Sequence, residues 1–231
     1  MTSKVDFAMY VQALPLYARN LGVLFPPLVA TLIAIGLMYV GVWFFAASGE
    51  AGIGIIALLI NIMYGFAFGI SVIFADDAWR HGRANLPSAW ADGRRKAGNI
   101  LIAVIGFFFL TWIARYIGAM SGSGYVALAL GALAVWAFIY SIPAAAIGGT
   151  PGGASLSASL QAARRQPLAT AILVIVSLIV WVGLTQYAVQ WLPFNEIGNQ
   201  IAVALLTAIA LGYIALVVTK QYSDVAFRPY W

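Results

Sequence analysis

Six stretches of about twenty apolar residues dominate the chain, and a helix of that length is what the hydrocarbon core of a membrane requires. The stretches are residues 22–47, 53–75, 99–118, 125–148, 169–190 and 199–220. Charged residues occupy 8% of the 231 positions and the mean hydropathy is +0.95, whereas a soluble domain carries about 25% charged residues. Because so few polar residues cannot solvate the outside of a soluble fold, the sequence predicts an all-α polytopic membrane protein with six transmembrane helices.

Short connectors follow the first, third and fifth apolar stretches, so we predict three helical hairpins, each preceded by a short interfacial helix. The first interfacial helix has an apolar face at helical spacing, and the other two have stripes of apolar or small residues. In the first helix Phe7, Tyr10, Val11 and Leu14 are predicted to face the headgroup boundary, and in the third Leu156, Leu160 and Ala163 are predicted to face the membrane. In the second helix Ala89, Trp90, Gly93 and Ala97 line a stripe opposite Asp92 and Arg95.

The three interfacial segments also define a weak internal repeat. Arg19, Arg94 and Arg164 each precede a membrane span and are 75 and 70 residues apart. We therefore predict one integral membrane domain over residues 1–231, built from three parallel units at about 1–75, 76–148 and 149–220, with a short tail at 221–231.

Lysine and arginine fall almost entirely on one side of this topology. Eleven of the twelve lie in the N-terminal segment, the connectors after the second and fourth spans, and the tail, while Arg115 lies on the other side. Because basic residues are enriched in cytoplasmic loops, we expect a multi-pass protein of the bacterial cytoplasmic (inner) membrane with both termini in the cytoplasm. We also expect a basic surface that contacts anionic lipid headgroups, formed by Arg80, Arg83, Arg94, Arg95, Lys96, Arg164 and Arg165.

The absence of cysteine from the sequence excludes disulfides, thiolate metal sites and cysteine nucleophiles. With His81 as the single histidine, a zinc site or a bis-histidine haem site is not expected. We predict no catalytic residue, no metal and no cofactor. For His81 itself we favour a solvated position between basic residues, and pH sensing or ligation of a pigment or haem are the open alternatives.

Asn61 and Gln186 are candidates for a polar site inside the membrane, because an amide in hydrocarbon needs a partner. A hydrogen bond between helices, contributing about 1 kcal/mol, is the favoured interpretation. A site lined by these two amides is the alternative that a transporter would require.

Small residues four positions apart indicate close helix packing, either within the bundle or with a partner protein or a second copy. The three pairs are Gly65 with Gly69, Ala127 with Gly131, and Ala208 with Gly212.

The strongest candidates for catalytic residues are three aspartates in the connector between the second and third spans. Asp76, Asp77 and Asp92 would be needed by a lipid-modifying enzyme that uses a metal-bound nucleotide. The DGxxAR motif of such enzymes is missing from the sequence, and no further acidic pair follows in the next span.

The second half of the chain resembles known bacterial proteins in two segments, "IYSIPAAAIGG" (139–149) and "GGASLSASLQAARRQPLATAILVIVSLIV" (152–180). This pattern is similar to that of six-helix membrane protein families, including uncharacterised ones and the membrane domain of some glycerophosphodiester phosphodiesterases. The resemblance implies a non-catalytic membrane domain, since in those phosphodiesterases the chemistry belongs to a separate soluble domain. Alanine stands where those families carry an acidic residue after the proline, and no functional residue carries over.

Together these features favour a non-enzymatic integral membrane protein that acts as a structural or accessory subunit of a membrane assembly. A small-solute or lipid transporter is the alternative, and a lipid-modifying enzyme is the third hypothesis. The expected partners are the lipid bilayer and a membrane protein or second copy, with no nucleic acid.

Overall fold

The computed structural model describes residues 5–45, 49–188 and 196–226, with their side chains except at 40, 42–45, 49–53, 186–188, 196 and 197. Over these ranges the chain forms α-helices and no strand. In chain order they are α1 (Ala8–Arg19), α2 (Phe25–Phe45), α3 (Gly49–His81), α4 (Leu86–Arg95), α5 (Ala97–Met120), α6 (Gly124–Phe138), α7 (Ser141–Ala146), α8 (Gly152–Arg165), α9 (Pro167–Val182) and α10 (Glu196–Ala226). A 3-10 turn, Leu21–Leu24, leads into α2, and a π-helical turn, Gly183–Ala188, follows α9.

Among the described residues, six helical segments are long and apolar enough to cross a membrane, which confirms the all-α polytopic prediction. Their mean hydropathy lies between 2.0 and 2.7, and they are Leu21–Tyr39, Gly54–His81, Ala97–Met120, Gly124–Ala146, Pro167–Thr185 and Gly198–Ala226. Two of them, the second and the sixth, end six residues beyond the apolar stretches that predicted them. α3 continues past residue 75 to His81, because Asp76 pairs with Arg80 and Asp77 with His81 one turn apart, and such pairs stabilise a helix.

The short helices α1, α4 and α8 precede α2, α5 and α9, as predicted, but they pack differently from one another. On α1 the predicted membrane face is exposed at Phe7, Val11 and Leu14, while Met9 and Ala13 pack against the rest of the chain. Helix α1 begins at Ala8, whose N–H donates to the carboxylate of Asp6 over 2.9 Å.

The predicted membrane face of α8 is wrong at Ala163, which is buried, while the predicted stripe of α4 packs into the bundle at Ala89 and Gly93 and is exposed at Trp90. On α4, Ala89 and Gly93 are buried, and a Cβ at Gly93 would lie 2.8 Å from the Ile70 side chain of α3. On α8, Ala163 is buried and Leu156 contacts α5 at Gly106. Small residues let helices approach closely, so a stripe of alanine, glycine and serine fits a protein neighbour better than lipid.

The core lies around the second half of α10, which contacts α1, α2, α3, α7, α8 and α9. Residues 215–218 of α10 are fully buried, and Ala75, Ala78, Ala144 and Ala163 pack in one cluster with residues 216–218. Alanine in these positions removes little side-chain entropy on burial and permits close contact between helices.

The fourth membrane span is broken near Pro143, between the end of α6 at Phe138 and the start of α7 at Ser141. Proline has no N–H to donate to the carbonyl four residues earlier, and its ring clashes with that carbonyl. The backbone at the break is bonded by Ser159 of α8 instead: its hydroxyl donates to the Ala137 carbonyl over 2.9 Å and accepts the Tyr140 N–H over 3.0 Å. This double contact fixes α8 against the fourth span.

Candidate functional site at the charged end of the bundle

The segments that carry most of the basic residues meet at one end of the bundle, called here the charged end. Asn20 after α1 bonds Gly82 after α3, Lys96 before α5 bonds Ala146 of α7, and Gln166 before α9 bonds Gln221 of α10. Residues that are 50 or more positions apart in the sequence therefore lie together at the charged end. Two pockets open at this end of the bundle.

The first, the aspartate pocket, has a volume of about 280 Å³ and is lined by Ile73, Asp76, Asp77, Arg80, Ser88, Ala89, Asp92, Lys96 and Ile147. It brings together the three aspartates that the sequence marks as candidates for chemistry. Two come from the end of α3 and the third from α4, because these helices form a tight turn at residues 82–85. The pocket is therefore a mixed acidic and basic surface.

Each of the three aspartates is bonded within the chain. Asp76 Oδ2 lies 2.9 Å from Arg80 Nε, and Asp77 Oδ1 lies 2.7 Å from His81 Nδ1. Asp77 Oδ2 also accepts the backbone N–H of Asn85 over 3.1 Å, and Asp92 pairs with Arg95. Among the residues that the structure describes, no three acidic, histidine or cysteine side chains are grouped as a metal would need.

Lys96 at the edge of this pocket caps a helix. Its ammonium donates to the carbonyl oxygen of Ala146 over 2.6 Å, at the last residue of α7. A cation at that end is favourable, because the last carbonyls of a helix carry a partial negative charge. One member of the predicted basic surface thus joins α5 to the short helix after the proline break.

The second, the arginine pocket, has a volume of about 270 Å³ and is lined by Arg19, Asn20, Leu21, Gly22, Phe74, Arg83, Ala84 and Leu86. Its two cations come from the end of α1 and from the turn after α3. Close approach of the first segment depends on Gly22, because a Cβ there would lie 2.9 Å from the Phe74 ring. Gly82, with a φ of +75°, adopts a conformation that favours glycine and turns the chain before Arg83.

Asn20 holds the two walls of the arginine pocket together. Its side chain is buried, with 4% of the residue exposed. Its Nδ2 donates to the carbonyls of Leu16 and Gly82, both over 3.0 Å, and its Oδ1 accepts the N–H of Ala84 over 2.9 Å. The side chain of Asn20 therefore bonds the backbone on both sides of Arg83. Arg19 directly precedes Asn20 in the sequence.

Other members of the predicted basic surface have diverse contacts. Arg80, Arg95 and Lys96 bond to the partners described above, whereas four arginines project as exposed side chains: Arg83, Arg94, Arg164 and Arg165. The last two lie in the final turn of α8, where a basic side chain favours the helix end. His81 is exposed and bonds Asp77.

Asn61 does not form the expected bond between helices. Its Nδ2 donates to the carbonyl of Ala57, one turn earlier in α3, over 2.9 Å, and the residue is exposed on the outside of the helix. A helix carbonyl in reach therefore accepts one N–H of the amide within α3 in place of a partner from another helix. The side chain of Gln186, the other predicted intramembrane amide, lies outside the described residues.

The three small-residue pairs lie against other parts of the same chain. Gly65 contacts Val104 and Phe108 of α5, and a Cβ at Gly69 would lie 2.6 Å from Ile100. Ala127 lies against Gly118, and Gly131 against the Arg115 side chain, both of α5. Ala208 is buried, and a Cβ at Gly212 would lie 3.0 Å from the Tyr17 ring of α1.

Sequence reasoning missed Asn20 and Ser159, two of the polar side chains that join distant segments. Asn20 directly precedes the first span, a position that only indicated a helix boundary. Ser159 is one of three serines in "SLSAS", and nothing in that pattern separates it from Ser157. No protein-family profile, curated protein or solved structure matches the chain.

Proposed function

We propose that the chain is a non-enzymatic structural or accessory subunit of a membrane assembly, located in the bacterial cytoplasmic membrane with both termini in the cytoplasm. The exposed arginines of the charged end would then contact anionic lipid headgroups of the inner leaflet. The resemblance of residues 139–180 to non-catalytic membrane domains agrees with this proposal.

The observation that carries the proposal is that each aspartate of the aspartate pocket is already paired with a basic side chain of the same chain. Asp76, Asp77 and Asp92 each pair with a basic side chain on their own helix, and Asp77 also accepts the backbone N–H of Asn85. Asp77 stabilises the α3–α4 turn through Asn85, and the pairs of Asp76 and Asp92 stabilise their own helices, which are structural roles. Catalysis through a metal-bound nucleotide would instead require the three carboxylates as metal ligands.

A pull-down tests the accessory role. The tagged full-length protein is extracted from its native membranes in mild detergent, and everything that co-purifies is identified by mass spectrometry against membranes without the tagged chain. We expect one membrane protein at stoichiometric amount. Recovery of the chain alone, carrying a stoichiometric solute, would contradict the accessory role and favour transport.

A metal-binding titration tests the competing enzyme hypothesis. We expect the purified protein to show no saturable uptake of Mg²⁺ or Mn²⁺ by isothermal calorimetry. Uptake by the wild type that Asp76→Ala or Asp77→Ala abolishes, with Asp224→Ala as the matched control on α10, would contradict our proposal.

Transport is tested at Asn61. Because this amide is exposed and bonded to its own helix, we expect Asn61→Leu to leave co-purification of the partner unchanged. If the chain moves a solute and Asn61→Leu abolishes that movement while the protein stays folded, the transporter hypothesis replaces ours.

A further inference from the structure

Two arginines from distant parts of the sequence face one small pocket. The arginine pocket has eight lining residues, of which two, Arg19 and Arg83, are cationic and none is acidic. The ion pairs among the described residues are those of Asp76–Arg80, Asp77–His81, Asp92–Arg95 and Lys220–Asp224. Neither arginine of the pocket belongs to that set.

Their positions are set by a buried amide. Asn20 bonds the carbonyl of Gly82 and the N–H of Ala84, which are 62 and 64 residues away and flank Arg83 in the chain. The same residue directly follows Arg19 in the sequence. One side chain, 4% exposed, therefore fixes the backbones that carry both cations.

The two like charges face the pocket beside an apolar wall of Leu21, Phe74 and Leu86. Both arginines are exposed, so water screens their mutual repulsion and leaves both guanidinium groups accessible to a ligand. An anion between the two side chains would be attracted by both charges. Guanidinium groups bind phosphate oxygens through paired, charge-assisted hydrogen bonds.

We propose that the arginine pocket binds one phosphate group, held by Arg19 and Arg83. The group is a phosphomonoester or phosphodiester, and either an anionic phospholipid or a soluble phosphate compound can supply it. The position favours access from the membrane surface, since Leu21 starts the first span and Leu21 and Phe25 are 58% and 50% exposed beside the pocket. The lipid source rests on the proposed contact of the charged end with anionic headgroups, whereas the soluble source does not.

Two measurements on the full-length protein separate the sources. Native mass spectrometry after mild extraction counts the phosphatidylglycerol molecules that stay bound, and calorimetry in phosphate-free buffer titrates inorganic phosphate and glycerol 3-phosphate. The variants are Arg19→Gln, Arg83→Gln and Arg83→Lys, and Arg94→Gln is the control because Arg94 is exposed at the same end but outside the pocket. Circular dichroism checks that each variant keeps its helical content.

If the site exists, the wild type retains one phosphatidylglycerol or binds one equivalent of soluble phosphate. Arg19→Gln and Arg83→Gln then each weaken binding about tenfold or more, Arg83→Lys weakens it less, and Arg94→Gln leaves it unchanged. Retained lipid identifies the membrane source, and phosphate uptake without retained lipid identifies the soluble one.

Two outcomes would overturn the inference. An equal loss of lipid in Arg19→Gln, Arg83→Gln and Arg94→Gln would show diffuse attraction to a charged surface, so the pocket would fail while the proposed headgroup contact stands. Absence of both lipid retention and phosphate uptake in the wild type would remove the pocket and the headgroup contact together, leaving the accessory role to be decided by the pull-down.

Discussion

The side-chain amide of Asn20 donates a 3.0 Å hydrogen bond to the carbonyl of Gly82, 62 residues further along the chain. With its bonds to Leu16 and Ala84, it joins the end of α1 to the turn between α3 and α4. The first prediction concerns this amide. Asn20→Ala removes three hydrogen bonds from a buried side chain to partly buried backbone groups, so we expect a loss of about 2 to 3 kcal/mol in the free energy of unfolding. Denaturation in detergent, followed by tryptophan fluorescence, measures it.

The matched control is Asn85→Ala in the same turn, since Asn85 is exposed and bonds Asp77 through its backbone N–H, which the substitution keeps. Equal stability of the Asn20→Ala and Asn85→Ala variants would contradict the role given to Asn20.

Ser159 is the second target, because its hydroxyl bonds two backbone groups at the proline break of the fourth span. Ser159→Ala leaves the Tyr140 N–H and the Ala137 carbonyl unbonded in the bundle, and we expect a loss of about 2 kcal/mol in stability. Ser157→Ala is the control: Ser157 lies on the same helix, is exposed, and bonds only the Ala154 carbonyl one turn back. A larger loss for Ser157→Ala than for Ser159→Ala would refute the assignment.

The third prediction separates packing within the chain from association between chains. Gly65 lies against Val104 and Phe108 of α5, so Gly65→Leu overpacks the α3–α5 contact and we expect a loss of about 1 to 3 kcal/mol. Gly54→Leu on the same helix is the control, since a Cβ there meets no described atom within 4 Å. Stability comes from unfolding in detergent, and mass from light scattering. A lower oligomeric mass at unchanged stability in Gly65→Leu would instead show that this face binds another chain.

Alkaline pH should weaken the fold through Tyr10. Burial, followed by the nearby Tyr213 and Asp6, raises the pKa of Tyr10 from its usual 10.0 to about 12. The unfolded state therefore releases this proton first as the pH rises, and stability falls between about pH 10 and about pH 12. Tyr10→Phe should reduce that fall, and Tyr125→Phe, at an 87% exposed position, should not. Unfolding temperatures of the variants and the wild type are measured at about pH 8 and about pH 11. An equal fall in unfolding temperature in Tyr10→Phe and in the wild type would contradict the role given to Tyr10.

Orientation in the membrane can be measured directly, because the chain contains no cysteine. Single substitutions Ser88→Cys in the aspartate pocket at the charged end and Ser121→Cys after α5 place one thiol at each end of the bundle. We expect a membrane-impermeant maleimide applied to intact cells to label Ser121→Cys, and to label Ser88→Cys only after lysis. The reverse pattern would place the basic surface outside and would contradict the proposed topology.

The membrane spans were predictable because the hydrocarbon core requires helices of about twenty apolar residues, and such stretches are visible in the sequence. The buried faces of α4 and α8 were not, since alanine, glycine and serine are compatible with lipid and with a neighbouring helix, and only the neighbour decides. Thus Gly93 lies against Ile70, and Ala163 is buried in the core. The arginine pocket was hidden for another reason: Arg83 was recognisable as basic, but its pairing with Arg19 depends on Asn20 and a contact across 62 residues.

The bond of Ser159 to Tyr140, 19 residues earlier, also constrains how the protein is made. When the break in the fourth span leaves the ribosome, the residue that satisfies its backbone has not yet emerged. Backbone groups without hydrogen-bond partners are costly in lipid. We therefore expect this span to remain beside the insertion machinery, or in contact with water, until α8 emerges. The second hairpin therefore completes its folding only as the third unit begins, and biogenesis of the bundle has a built-in order from N-terminus to C-terminus.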